Sequence, residues 1–311
     1  MMRVGHCYRK SCFNERAVRL KLLMSGFRIA KICGGLPLFI VLVAGVLKEK
    51  EIKAELWKEI EESLGLLNIG SLEESMSIIG FSYRNLPHQL KSCFLYFGGL
   101  LKGKDIHVSK LTQLWIAEGF VHTNKVKGLE DVAKGLLEDL ISRNLEMGVV
   151  KRPKGKLKTC RVHDLLHKFC LEKFEQENFL LQINGYRGEA EEYSREVLQN
   201  MCKPHLMDDT FPEKSKEYRL FVHSSEDQID LWQPSRSNVR SLLFNVIDSD
   251  NLLLPRDISF IFNSFILVKV LDLESFNIGG TFPSEIQFII HLKYFASRTG
   301  GNSIPSSIAK L

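Results

Sequence analysis

Ten consecutive residues, Arg161-Val162-His163-Asp164-Leu165-Leu166-His167-Lys168-Phe169-Cys170, concentrate the groups in this chain that could do chemistry. His163 and Asp164 fall where a short basic strand gives way to a helix. Asp164 suits an N-cap, and Leu165, Leu166, Phe169 and Leu171 recur near helical spacing. A helix N-terminus attracts anions, and a histidine beside it can donate to a phosphate. The pair therefore predicts a phosphate contact at a helix start. The same run suggests a second chemistry, because Cys160, His163, His167 and Cys170 would share one face if all were helical, a set that zinc accepts. Against this, Cys160 lies on the strand side and Cys170 among apolar positions, so buried thiol is favoured and no metal is expected. Cys93 reads the same way: Phe94, Leu95, Phe97 and Leu100 around it indicate core, not a nucleophile.

The elements that must position the His-Asp pair are legible around it. Gly34-Gly35 stops one element, Pro37 suits a first helical turn, and Leu38 to Leu47 reads as a buried helix. Glu51 to Leu67 reads as an amphipathic helix with Leu56, Ile60, Leu64 and Leu67 on one stripe. Helices follow from Ser71 to Tyr83, as a helix or helix-strand junction from Leu90 to Leu100, from Ser109 to Glu118 and from Glu130 to Leu145. Glu146 to Val150 and Leu157 to Val162 are strand-like, joined by the basic turn Lys151-Arg152-Pro153-Lys154-Gly155-Lys156. Helices followed by a basic-tipped hairpin predict a winged helix, closed by the helix after Asp164 near Leu181.

Downstream the pattern changes. Residues 184–215 are charged and irregular, as in a linker. Val239 to Phe244, Lys269 to Leu273 and Lys293 to Ser297 are successive strand-like runs. Phe282-Pro283-Ser284-Glu285-Ile286 is matched 22 residues later by Ile304-Pro305-Ser306-Ser307-Ile308. That offset lies within the leucine-rich-repeat period of roughly 20 to 29 residues. Because such units bury their apolar face only by stacking, a chain ending at Leu311 is expected to be a fragment or a truncated gene product.

Composition narrows the classes. The chain carries 42 basic and 37 acidic residues, a net charge of +5 that does not by itself imply nucleic acid or an anionic membrane. Its seven cysteines are odd in number and partly embedded in apolar runs, as in reduced, intracellular proteins. The longest apolar run, Ile32 to Leu47, is shorter than the ~20 residues of a membrane span and begins too late for a signal peptide. No transmembrane segment and a cytoplasmic location are expected, with peripheral membrane association left open. The basic hairpin could be a DNA-contacting wing. The helix expected to enter the groove opposes this, since Glu130, Asp131, Glu138, Asp139 and Glu146 outnumber Lys134 and Arg143. No nucleic acid partner is expected.

Five segments in order carry a resemblance: Gly34-Gly35-Leu36-Pro37-Leu38, Cys93-Phe94-Leu95-Tyr96-Phe97, Leu114-Trp115-Ile116-Ala117-Glu118-Gly119-Phe120, Val162-His163-Asp164, and the repeats. From about Ala30 onward the chain resembles the plant nucleotide-binding leucine-rich-repeat resistance proteins, and it looks most like the late blight resistance group of the nightshade family, in the coiled-coil-containing class. The resemblance implies a mixed α and α/β fold, a helical bundle plus winged helix followed by the start of a leucine-rich-repeat solenoid. The divisions expected are 1–29, poorly matching; 30–68, a helical subdomain; 69–183, the winged helix; 184–215, the linker; and 216–311, the first repeats.

The resemblance further implies an ADP/ATP-dependent switch in plant defence and hypersensitive cell death, a regulator and not an enzyme. In that family the proline of Gly-Leu-Pro-Leu packs near adenine, which falls here on Pro37. The histidine of Met-His-Asp contacts the β-phosphate of ADP, which falls on His163, with Asp164 holding the turn and Val162 standing for the methionine. Partners implied are a pathogen effector or guarded host protein through the repeats, and other resistance-protein domains. The chain holds no Gly-x-x-x-x-Gly-Lys-Ser/Thr, whose amides, lysine and hydroxyl grip the phosphates and magnesium. Nucleotide binding by this chain alone is therefore expected to be negligible. The alternatives are a winged-helix DNA-binding protein and a stand-alone adaptor.

Overall fold

The computed structural model describes residues 20–48, 54–65, 72–122, 127–145, 147–151, 157–177, 179–185, 218–224, 238–246, 259–279 and 283–298. The chain forms two compact units, one of residues 1–94 and 135–169, the other of residues 95–134 and 170–311.

In the first unit, helix α1 (20–32) precedes α2 (Pro37–Lys48), α3 (Ala54–Gly65) and α4 (Leu72–Arg84). α1 lies largely within residues 1–29, where the sequence shows only weak periodicity; its buried Ile29, with Cys33 just beyond its end, ties it to the core. The turn after α1 needs Gly34, which stands at φ +60 with Gly34 N–H donating to Lys31 O and Gly35 N–H to Ala30 O. That pair of bonds is the left-handed cap that a Cβ would strain. α2 then buries Phe39, Leu42, Val43 and Val46 at helical spacing and packs against α4, whose Ile78 and Ile79 are fully buried. Tyr83, Phe94 and Phe169 form an aromatic cluster, with Tyr83 edge-on to Phe169 at 5.5 Å.

Helix α5 (His88–Tyr96) ends in a 3₁₀ turn (Phe97–Gly99), resolving the helix-or-strand alternative for Leu90 to Leu100. A two-residue strand β1 (Ile106–His107), α6 (Val108–Ala117) and α7 (Leu129–Ser142) follow. β2 (Met147–Lys151) and β3 (Leu157–Arg161) pair antiparallel as the expected hairpin, while its basic tip, 152–156, lies outside the described residues. α8 (Asp164–Glu177) follows directly.

In the second unit, β4 (Leu181–Gly185), β5 (Tyr218–Ser224), β6 (Val239–Val246), β7 (Val270–Asn277) and β8 (Tyr294–Arg298) form one sheet in sequence order, parallel throughout. The boundary expected at residue 183 falls inside β4, and most of the expected linker lies outside the described residues. Leu220, Leu242, Leu271 and Phe295 are successive register partners, stepping by 22, 29 and 24 residues. They point to the side occupied by α9 (Ser259–Ser264) and a 3₁₀ helix (Ser284–Phe288), where Ile261, Phe262, Phe265, Ile286 and Ile289 complete the core. Because strand side chains alternate, Phe221, Leu243 and Asp272, also register partners, point the other way.

Candidate functional site

His163 precedes the first residue of α8 and is itself the cap. Its carbonyl accepts the first helical bond, from His167 N–H at 2.9 Å, and its Nδ1 accepts from Leu165 N–H at 3.1 Å. The expected cap, Asp164, is instead the first helical residue, where its charge complements the positive end of the helix dipole. The correction has a simple cause: an imidazole Nδ1 reaches the second amide of the helix as an Asn or Asp oxygen would. The bond also fixes the ring chemistry. An Nδ1 that accepts carries no proton, so the neutral ring bears its proton on Nε2, the atom that would donate to an anion. Val162 is buried, keeping the apolar character of its position.

Pro37 occupies the first helical position of α2 and is exposed, beside exposed Leu36. No hydrogen bond or ring contact among the described residues joins Pro37 to His163; each is placed by its own helix start. Of the zinc-spaced set, Cys160, His167 and Cys170 are buried. Among the described residues no three His, Cys, Asp or Glu side chains gather as a metal site. Burial pushes the Cys170 thiol well above its ordinary range, and the Cys93 thiol to about 12, so neither is a ready thiolate. Among the described residues no helix is long and apolar enough to cross a membrane.

A second constellation was not visible in the sequence. It lies on the face of the parallel sheet opposite α9. The Arg219 Nε donates to Glu118 Oε2 at 2.7 Å and its Nη1 to the Phe179 carbonyl at 3.1 Å. The guanidinium lies over the rings of both Phe120 and Phe179, at 5.0 and 4.8 Å, and those rings meet each other at 5.8 Å. Tyr96 meets Phe221 edge-on at 5.3 Å. Burial pushes the Tyr96 phenol well above its usual range, and the Glu118 carboxylate adds to this, so the phenol stays neutral.

Farther along the same face, Lys110 Nζ bridges Asp272 and Glu274, each at 2.6 Å. Burial alone would lower the Lys110 ammonium, but Asp272 and Glu274 outweigh it and hold it above its ordinary value. The hydrogen bond from Lys110 holds the Glu274 carboxyl below the usual range. These partners lie roughly a hundred residues or more apart in sequence, so no local pattern could pair them. The one available signal was Glu118-Gly119-Phe120 within a resemblance motif.

Residues 101–170 match the family described as the winged helix domain of disease resistance proteins. The chain is 39% identical over 304 residues to the late blight resistance protein homolog R1B-16 of Solanum demissum, covering 97% of this chain and 22% of that protein. It is likewise 39% identical over 312 residues to the late blight resistance protein R1-A of the same species, again 97% of this chain and 22% of the relative. The alignments thus reach into residues 1–29, expected from the motifs to match poorly, while the chain spans about a fifth of the length of these relatives. The chain is therefore a relative, over nearly all its length, of the late blight resistance proteins, and it carries the winged helix domain of the disease resistance family.

Proposed function

We propose that this chain serves plant disease resistance as the winged-helix and first-repeat portion of an intracellular, cytoplasmic immune receptor. In this reading the parallel strands stepping by 22, 29 and 24 residues begin a leucine-rich-repeat solenoid, since the steps centre on that period. The receptor is an ADP/ATP-dependent switch, a regulator and not an enzyme. The observation that carries the reading is His163: its Nδ1 is committed to capping α8, which leaves Nε2–H to donate to a phosphate at a helix N-terminus. Pro37, exposed on α2, would meet the adenine. Without a phosphate loop in this chain, neither contact holds a nucleotide alone.

Two measurements test this. Fluorescent ADP titrated into the purified chain should show no saturable binding at micromolar concentrations; saturation there would overturn the claim that the chain alone does not hold nucleotide. Replacing the matched segment of R1-A with this chain should give a receptor that co-purifies with ADP, and His163→Asn in that chimera should release it. A chimera whose ADP content is unchanged by His163→Asn would sink the phosphate role. DNA binding is disfavoured because Glu130, Asp131 and Glu138 are exposed on α7.

A further inference from the structure

The side of the strands that points away from α9 is not an open surface at β5 to β7. Phe221 receives Tyr96, and the ring lies so close to Gly99 that a Cβ there would approach within 2.7 Å. The Gly99 carbonyl accepts from His223 Nε2 at 3.2 Å and from Asn245 Nδ2 at 3.4 Å. Arg219 is held by Glu118 over the paired rings of Phe120 and Phe179, and Asp272 is held by Lys110 from α6. Glu118 and Asp272 have only 4% and 5% of their side-chain surface exposed, so both pairs are shielded from water while the layers are joined, and parting the layers would also expose the buried rings of Tyr96 and Phe221. A releasable contact would be built from exposed, solvated pairs alone; this one is aromatic and glycine-tight, with Glu118 and Asp272 buried in it.

We infer that the 3₁₀ turn, α6 and strands β5 to β7 are one permanently joined body. In it the strand face bearing Arg219, Phe221 and Asp272 is an internal interface and not a surface for an external partner. Arg219 is its positioning residue. Any rotation of α6 then carries the first strands with it, and partner recognition belongs to other surfaces. The use of this body as a lever rests on the switch reading above; the joining itself does not.

Native-state hydrogen exchange of the full chain at rising sub-denaturing urea tests it without any variant. Amides of α6 and of β5 and β6 should lose protection along one common urea dependence. Arg219→Met should raise exchange in both by the same factor, roughly tenfold or more, as expected for one lost buried charge-assisted bond. Amides of α6 that open at lower urea than those of the strands, or an Arg219→Met variant that loosens α6 alone, would show a releasable latch and overturn the inference. Neither outcome depends on nucleotide retention in the chimera, so the two readings fail separately.

Discussion

At His163 one ring nitrogen is seen at work, and the proposed switch assigns the other to a phosphate. Nδ1 caps α8, and Nε2 is the atom available to an anion. The roles separate by substitution. His163→Ala should lower stability by about 1 kcal/mol through the lost cap, whereas His163→Asn, a strong N-cap residue, should stay within a few tenths of the parent. Urea denaturation midpoints of the purified chain measure both; an Asn variant as unstable as Ala would show that the ring does more than cap. The sequence placed this histidine at a helix start from its neighbours alone. It misassigned the capping atom because Asp is the commoner cap and only coordinates show which side chain turns back to the Leu165 amide.

Elements in this chain are fixed by short-range rules wherever their partners are close in sequence. The Gly34 cap, Pro37 at a first turn and the apolar stripe of α2 were readable because helical spacing and φ demands are local. Asn144 repeats the pattern after α7: it stands at φ 58 and its side-chain amide donates to the Val41 carbonyl on α2 at 2.9 Å. β4, β5 and α9 escaped notice, since short segments beside irregular stretches carry too few periods to declare themselves. The 3₁₀ turn depends on a small residue at Gly99 because Phe221 lies against it. Gly99→Ala should cost about 1–3 kcal/mol by overpacking. Pairing it with Phe221→Leu should recover part of the loss, a coupling that a double-mutant cycle of thermal or urea unfolding reads directly. Strict additivity would place the cost elsewhere.

At the scale of the whole molecule, charge pairs set the pH response. Glu274 has its carboxyl lowered by Lys110, so its contribution is present above the ordinary glutamate value of about 4.3 and is lost as pH falls through the lower folded value. Lys110 is raised, so its contribution is present below about 10.4 and is lost as pH rises through its folded value. Lys110→Met should therefore destabilise by roughly 2 kcal/mol, less than the 3–5 of a fully buried broken pair because Lys110 is partly exposed. That deficit should stay constant between about pH 6 and 9 and shrink in acid; a deficit varying across neutral pH would contradict the assignment. The sequence by itself determined helices α2 to α8, the wing hairpin, the His163 position, the strands β6 to β8 and the family resemblance, because each is written in spacing over a few turns or in motif order. Only the tertiary structure decided that Arg219 meets Glu118, that Lys110 meets Asp272, and that the strand face is filled from within. Those contacts join residues 101 to 164 positions apart, where charge and shape match but no periodicity links them.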